Sequence, residues 1–199
     1  MRNEGDLLLW RSFKTGDWDA YGRLYDSYFS LLNNYGYRFT SERELIEDAV
    51  HDLFVRLWTS RERLSIPASV KNYLFKSLRN ILLRKMKSEE KYTDIDGQEY
   101  PVSFTIVYDN EALKRIEHIE LQAKIKTFIQ ALPPRQQEII YLRFYEGLSY
   151  EEIADVMSIS VNSSYKLLYK ALERLQATLG APSSLSILLC LKFFSASKG

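Results

Sequence analysis

The chain has 199 residues, and its 27 Lys and Arg nearly balance its 26 Asp and Glu, so the formal net charge is +1. Hydrophobic residues make up 46% of the chain and there are only eight Gly and five Pro, a composition that agrees with two small helical domains. A single cysteine, Cys190, excludes an internal disulfide, and two histidines, His51 and His118, leave no zinc site of ordinary ligand spacing.

Motifs that would carry catalysis are missing from the sequence. It holds no Gly-rich phosphate loop, no nucleophile elbow and no paired acids in a plausible cleft. The chain begins with a polar, charged segment rather than a signal peptide. We therefore expect a protein that is not an enzyme, needs no metal or cofactor, and works in the reducing cytoplasm.

Two amphipathic helices are predicted in the first third of the chain. The first is rich in aromatic residues and runs from Gly16 to Leu32, with Asp17 as its N-cap. The second is predicted to follow Ser41, because Ser41 and Glu44 have the spacing of a capping box. Its apolar positions form a broad stripe, while other side chains project elsewhere: Glu47, Asp48, His51, Asp52, Val55 and Arg56. Taken alone, this second face would be an ordinary solvated one.

A strongly basic helix is predicted next. Pro67 fits its first turn, and the helix is expected to run to about Lys87 without a single acidic residue. Its basic side chains are Lys71, Lys76, Arg79, Arg84, Lys85 and Lys87. Such a surface would hold a phosphate backbone, while Tyr73 and Phe75 offer stacking platforms to unpaired bases. One of two alternating aromatics normally points inward, and we expect Tyr73 to be the exposed one.

An acidic stretch separates this basic helix from the rest of the chain. From Lys91 to Glu120 there are seven acidic residues against three Lys and Arg, a net charge of minus four. With Gly97 and Pro101, the part up to about Asn110 is predicted to be a poorly ordered linker. Apolar residues at helical spacing in the range 112–129 then predict the long helix that opens a second domain.

The second domain contains the pattern of a helix-turn-helix. Ser149 and Glu152 form a capping box that starts a short helix, which should end near Met157. A second helix follows the break at 158–160, with an inward stripe of Val161, Ser164, Leu168, Ala171, Leu172 and Leu175. Its polar outward face consists of Asn162, Ser163, Lys166 and Lys170, as in a helix that reads the major groove. A plain helical bundle is the alternative, and the small Ala154 at the helix crossing argues against it.

The last segment, residues 181–199, is apolar over a short stretch. Eight apolar residues fall within the ten positions from Leu185 to Phe194. A bilayer span needs about 20 such residues, and Lys192 interrupts these. The segment could pack on the second domain, dock a regulatory partner or act as a degradation signal, and the sequence does not rank these three.

The helix-turn-helix block resembles region 4 of the sigma-70 family, in particular the extracytoplasmic-function (ECF) sigma factors. The resemblance is carried by LPPRQ at 132–136, YLRF at 141–144, GLSYEEIA at 147–154 and ISVN at 159–162. Three positions depart from the family pattern: the turn usually holds Gly where this chain has Ser158, and Lys or Arg is common at Tyr165 and Leu167. The missing charges imply a weaker phosphate attraction that depends more on Lys166 and Lys170.

The first domain resembles region 2 of the same family. The run EDAVHDLFVRLW at 47–58 is similar to region 2.2, the helix that grips the clamp helices of the polymerase beta-prime subunit. By this resemblance the polymerase contact falls on Asp48, His51, Asp52, Val55 and Arg56. The basic helix and the loop before it are similar to regions 2.3 and 2.4, which melt and read the minus-ten element.

The resemblance also implies the DNA contacts. For the minus-ten element the candidates are Arg61, Lys71, Asn72, Tyr73, Lys76, Arg79, Asn80 and Arg84. For the minus-35 element they are Arg143, Ser160, Asn162, Ser163, Lys166 and Lys170.

The expected architecture is all-α, with two small helical domains on either side of a flexible acidic linker. Region 2 would occupy residues 1–90, the linker 91–110, region 4 residues 111–180, and a tail of unknown role 181–199. The implied function is an alternative sigma factor that binds core RNA polymerase, through the beta-prime clamp helices and the beta flap, and promoter DNA, both double-stranded and melted. No small-molecule substrate is expected. Family members are often held inactive by an anti-sigma factor, although no residue here identifies one.

Two other functions stay open at this point. The chain could be a polymerase-binding adaptor whose DNA targeting comes from another protein, as Tyr165 and Leu167 permit. It could also be a transcriptional regulator without any polymerase contact. The helix from Glu44 to Trp58 argues against this last reading, because a repressor has no need for it.

Overall fold

The computed structural model describes residues 2–89 and 127–179, and every regular element in these two ranges is helical. The chain divides into two compact units, Met1–Val102 and Ser103–Gly199. The predicted all-α fold of two helical domains is therefore confirmed. The predicted linker at 91–110, most of the long helix at 112–129 and the tail at 181–199 lie outside the described residues.

Within residues 2–89, the first unit contains four helices: α1 (Arg2–Lys14), α2 (Trp18–Gly36), α3 (Arg43–Ser60) and α4 (Val70–Glu89), with a 3-10 turn at Arg61–Arg63. The helix α1 is absent from the sequence-based prediction. Its side chains Trp10 and Phe13 are fully buried, and their ring centroids lie 5.3 Å apart. The burial of two large aromatic rings makes α1 part of the core of this unit.

The predicted start of α2 is confirmed, because the Asp17 carboxylate accepts a hydrogen bond from the Ala20 amide at 3.0 Å. At its other end α2 comes very close to α3. A Cβ placed on Gly36 would lie 2.5 Å from Cγ2 of Ile46, so only glycine allows this approach.

The next helix follows Ser41 as predicted, but its predicted capping box is wrong, and so is the predicted place of Pro67 in the first turn of the helix after it. The helix α3 begins at Arg43, and no side-chain hydrogen bond caps it. Ser41 does not serve as a cap, because the Thr40 hydroxyl instead accepts from the Glu42 amide at 3.1 Å in a local turn. Pro67 lies before α4 rather than in its first turn.

The cap of α4 is Ser69, whose hydroxyl accepts from the Asn72 amide at 3.2 Å. A serine in this position satisfies an amide that the first helical turn leaves without a partner. It thereby sets the start of α4 at Val70, three residues after Pro67.

The second unit contains a helical turn at 127–130 and then α5 (Pro134–Ile140), a π-turn (Tyr141–Tyr145), α6 (Tyr150–Met157) and α7 (Val161–Leu179). Its core is formed by apolar side chains that are all buried: Ile139, Ile140, Leu142, Ile153, Val156, Leu168 and Leu175. The buried Gln137 amide group donates to the backbone oxygens of Gln130 at 3.1 Å and Leu132 at 2.8 Å, which ties the turn at 127–130 to α5.

The predicted helix-turn-helix is α6 and α7. The capping box is present, since the Ser149 hydroxyl accepts from the Glu152 amide at 3.2 Å and the Glu152 carboxylate accepts from the Ser149 amide at 2.8 Å. The helix α6 is followed by its C-cap residue Ser158, which has the left-handed conformation with φ 55° and ψ 49°. This is the position at which glycine is the less strained residue.

The buried stripe of α7 is largely as predicted, with Ser164, Leu168, Ala171 and Leu175 inside. The prediction that Val161 belongs to it is wrong, because Val161 is 38% exposed. Side chains of a helix lean toward its N-terminus, so the side chain of the first residue extends past the packed part of the helix.

Candidate nucleic-acid interface

The outward face of α3 carries the five residues predicted for a protein contact. Asp48, His51, Val55 and Arg56 are exposed and Asp52 is half-buried, while the opposite face of the helix is core. The Asp52 carboxylate forms an ion pair with the Lys85 ammonium of α4 at 2.9 Å. The face therefore combines an exposed valine with charges of both signs, and one of its acids is already held by α4.

The Arg61 side chain lies on the edge of the same unit, where α3 ends. Its guanidinium donates to the Trp58 backbone oxygen at 2.9 Å and lies 4.6 Å from the centre of the Trp58 ring. The ring of Trp18, 62% exposed, meets Trp58 edge-on at 4.7 Å. Arg61 thus packs on the Trp58 ring, and part of its hydrogen-bonding capacity is used inside the protein.

The loop between the 3-10 turn and α4 is held by α1. The indole N–H of Trp10 donates to the Ser65 backbone oxygen at 3.2 Å, across 55 positions of the sequence. The same indole ring packs against Tyr73 on α4, with centroids 5.1 Å apart. Nothing in the local spacing of the sequence joins residue 10 to residue 65, so this contact could be found only in the fold.

Most of the DNA-contact residues predicted on the basic helix α4 are partly exposed to solvent. Tyr73 is half-buried and Phe75 fully buried, which confirms Tyr73 as the more exposed of the two rings. The remaining candidates on the helix are half-buried, apart from the exposed Arg84: Lys71, Asn72, Lys76 and Asn80.

Arg79 does not belong to this surface. It is 2% exposed, so the prediction that it contacts DNA is wrong. Arg79 lies four positions after Phe75 and three before Leu82, both of which are fully buried, and this helical spacing turns it toward the core.

The predicted minus-35 residues on α7 share one exposed face. Asn162, Ser163, Lys166 and Lys170 are all exposed, and Ser164 behind them is fully buried. Ser160 is exposed as well, but its hydroxyl accepts from the Ser163 amide at 3.1 Å and lies 2.8 Å from the Ser163 hydroxyl. Ser160 therefore caps α7, and its hydroxyl is engaged within the protein.

Arg143 lies at one end of a column of three stacked side chains. Its guanidinium carbon is 4.7 Å from the centre of the Tyr150 ring, and the Tyr150 ring stacks on Tyr165 with centroids 3.8 Å apart. Arg143 also donates to the Leu148 backbone oxygen at 2.8 Å. The column, Arg143–Tyr150–Tyr165, joins the π-turn to the start of α6 and to α7.

This column is not predicted by the sequence, in which Arg143 is a separate candidate for DNA contact and Tyr165 a position without the usual charge. No local signal could have joined them, because neither the guanidinium–ring contact nor the stacked pair falls at the three- or four-residue spacing of helix neighbours.

Tyrosines form an apolar depression beside the column. Tyr165 is 48% exposed and Tyr169 is 64% exposed. The depression has a volume of about 520 Å³ and is lined by Tyr150, Tyr165, Lys166, Leu168, Tyr169, Lys170, Leu172 and Glu173. A hydrogen bond to the Glu173 carboxylate raises the pKa of the Tyr169 hydroxyl.

The start of α6 is anionic. Hydrogen bonds from its own backbone amide and from the Ser149 hydroxyl lower the pKa of the Glu151 carboxyl group. A carboxylate in the first turn is favoured by the helix dipole. Among the described residues, no group of His, Cys, Asp and Glu is placed to hold a metal ion, and no helix has the length and apolar character needed to cross a membrane.

Both units match models of known protein families. Residues 24–92 match the model described as Sigma-70 region 2, and residues 122–175 match the one described as Sigma-70, region 4. Similar proteins include the ECF RNA polymerase sigma factor SigW of Bacillus subtilis, 22% identical over 85% of this chain and 94% of its own length. The ECF RNA polymerase sigma factor SigM of the same organism is 23% identical over 76% of this chain and 93% of its own.

Two solved structures share the fold. One is CnrH in complex with the cytosolic domain of CnrY, with a TM-score of 0.57, 21% identity, and coverage of 90% of this chain and 99% of that one. The other is the sigma factor RpoE in complex with the anti-sigma factor NepR from Bartonella quintana, with a TM-score of 0.56, 18% identity, and coverage of 81% and 98%.

Proposed function

Since this chain belongs to the ECF sigma factors of the sigma-70 family, it is an alternative sigma factor that directs promoter-specific transcription initiation, and we propose how its residues divide that work. Its partners are RNA polymerase and promoter DNA, and an anti-sigma factor is a further partner that such a protein can have. Sigma factors are non-enzymatic regulators, and we propose that this chain catalyses no reaction of its own and acts in the cytoplasm, where it meets core polymerase.

The polymerase contact of this proposal is the outward face of α3. Val55 is 43% exposed in the middle of that face, with the charged groups of Asp48, Asp52 and Arg56 around it. An apolar centre with a polar rim is how protein interfaces are commonly built. We assign the beta flap contact expected from the resemblance to the predicted region 4, residues 111–180.

The minus-ten contact is assigned to the loop held by Trp10 and to the exposed side of α4. Lys71, Lys76 and Arg84 supply positive charge for the phosphates, and Tyr73 supplies a ring for an unpaired base. Arg61, Asn72 and Asn80 complete the set. Arg79 is left out because of its burial.

The minus-35 contact carries the proposal. The helix α7 exposes Asn162, Lys166 and Lys170 on one face and buries the opposite face, which is the arrangement that a helix needs in order to enter the major groove. Ser160 and Arg143 act mainly by holding α7 and its neighbours in place.

The experiment that tests this function is run-off transcription by purified core polymerase reconstituted with the chain, on a genomic DNA library whose start sites are sequenced. We expect starts that share two spaced motifs. Replacing Lys166 and Lys170 together by Ala should lower transcription from them at least tenfold near physiological salt. A plot of the logarithm of the promoter-binding constant against the logarithm of the salt concentration should also become less steep by about two units, one for each phosphate contact.

A matched variant replaces Arg11 and Arg23 by Ala, which removes the same charge from exposed positions of the first unit where no DNA contact is proposed. This variant should transcribe like the wild type. If the lysine variant also retains transcription while core binding is intact, DNA targeting comes from another protein. The adaptor function, which Tyr165 and Leu167 favour at positions where the family is often basic, would then replace the one proposed.

A further inference from the structure

The exposed face of α7 has two chemically different sides. At about 100° per residue, Tyr165 and Tyr169 lie on one side of Asn162, and Lys166 and Lys170 lie on the other. We call the tyrosine side the aromatic flank. All five side chains are exposed, so a molecule that binds this face contacts an apolar surface and a cationic surface at the same time.

The aromatic flank is held rigidly. The ring of Tyr165 is stacked on Tyr150, and the Arg143 guanidinium lies over the ring of Tyr150. About half of the Tyr165 side chain still faces solvent, with 48% of the residue exposed. A ring fixed in this way loses little conformational freedom on binding, so its contacts contribute more to affinity than those of a mobile side chain.

Tyr169 adds a second ring one helical turn further on. The nearby Glu173 carboxylate raises the pKa of its hydroxyl, which therefore stays neutral and protonated. The ring itself remains open, since the residue is 64% exposed. The flank therefore offers the open surface of two rings.

Resting on the proposed minus-35 reading, we infer that Tyr165 and Tyr169 are specificity-determining residues that read thymine methyl groups in the major groove. The C5-methyl of thymine is the apolar group among the base edges that the major groove presents. Lys166 and Lys170 on the neighbouring side fit the phosphates, so the face as a whole complements DNA rather than a neutral protein surface. At position 165, a ring contact to a methyl group replaces the charge that the family often has there.

The test removes the methyl group and nothing else. Reconstituted holoenzyme first selects active promoters from fragments with a randomised minus-35 region, and each thymine of the selected element is then replaced singly by uracil. We expect the replacement at one or two of these positions to lower transcription about fourfold at low DNA concentration. This is the change in affinity that corresponds to burying one methyl group. This measurement uses the wild-type chain, so it does not depend on how a variant folds.

The protein side of the test uses two variants. Tyr165→Ala with Tyr169→Ala should abolish the difference between thymine and uracil at those positions, whereas Tyr165→Phe with Tyr169→Phe should keep it because the rings remain. Persistence of the difference in the double Ala variant would overturn the assignment of these two residues.

The outcomes separate this inference from the function on which it rests. If uracil has no effect at any position while the Lys166 and Lys170 variant still loses transcription, the methyl reading is wrong and the minus-35 reading stands. If neither uracil nor the lysine substitutions matter, or if the selection yields no minus-35 motif, both are overturned. In that case the aromatic flank serves a protein partner.

Discussion

At the scale of single residues, Ser158 shows how the turn of the helix-turn-helix is made. It takes a left-handed backbone conformation, with φ 55°, at a position where the family usually has glycine. For a residue with a Cβ this conformation costs about 1–2 kcal/mol, and the greater freedom of glycine in the unfolded chain costs about 0.5–1 kcal/mol. The turn is therefore strained in this chain.

Ser158→Gly should stabilise the protein by about 0.5–1 kcal/mol, the difference between these two terms. The free energy of unfolding in urea, measured on the full chain, checks this. Ser160→Gly makes the same chemical change two positions later, where the hydroxyl caps α7, and should lower the stability by a few tenths of a kcal/mol. A loss of stability in the Ser158 variant would contradict the strain argument.

At the scale of elements, α1 has a structural role that no sequence motif predicts. It buries Trp10 under the loop before α4, and the indole N–H holds the Ser65 carbonyl oxygen. Because Tyr73 packs on the same indole ring, α1 sets the positions of both the loop and the ring proposed to meet the melted strand. A helix outside the recognised motifs thus positions the residues proposed to contact the minus-ten element.

Trp10→Phe keeps an aromatic ring in the core but removes this hydrogen bond. We expect a loss of about 2 kcal/mol of stability, from the missing bond and from the space left by the smaller ring. Permanganate reactivity of the unpaired thymines at the minus-ten element should fall, because the loop is held less firmly. Trp18→Phe changes a tryptophan that is 62% exposed, and it should leave both the stability and the permanganate reactivity close to those of the wild type. Equal losses in the two variants would mean that α1 has no special role.

The helix starts that could be predicted from the sequence are those set by a side chain within four residues of the group that it caps. Asp17 and the Ser149 capping box could be identified from spacing alone, and both are present. The capping box of α3 was wrongly predicted because Thr40 competes with Ser41 for the local hydrogen bonds. Arg79 was wrongly predicted to contact DNA, because the number of positive charges along α4 does not show which side of the helix each one occupies. The contacts of Trp10 and of the stacked column depend on the tertiary fold and have no local signature.

At the scale of the whole molecule, a net charge of +1 conceals a strongly uneven distribution. The basic α4 and the acidic stretch after it largely cancel in the sum, and the residues proposed to contact DNA belong to both units. Family membership implies that these surfaces act on polymerase rather than alone. A change in the polymerase contact should therefore silence every promoter of this factor, whatever its minus-35 element.

Val55→Glu places a charge in the middle of the α3 face, and we expect core binding to weaken at least tenfold, because an unpaired charge would be desolvated in the interface. Titration of labelled core polymerase measures this, followed by transcription from promoters with strong and with weak minus-35 elements. Leu8→Glu makes the same kind of change at an apolar residue that is 63% exposed on α1, and it should bind core normally. Unchanged core binding by the Val55 variant would place the polymerase contact elsewhere.

The stacked column of Arg143, Tyr150 and Tyr165 has a consequence for how such a protein can diverge. A guanidinium group stacks on an aromatic ring about as readily as a second ring does. An arginine at position 165 would leave Tyr150 between two guanidinium groups, with the scaffold around it unchanged. One substitution at this place would exchange an apolar contact for a cationic one, so duplicated copies of the gene could acquire separate sets of target promoters before anything else in the fold has to change.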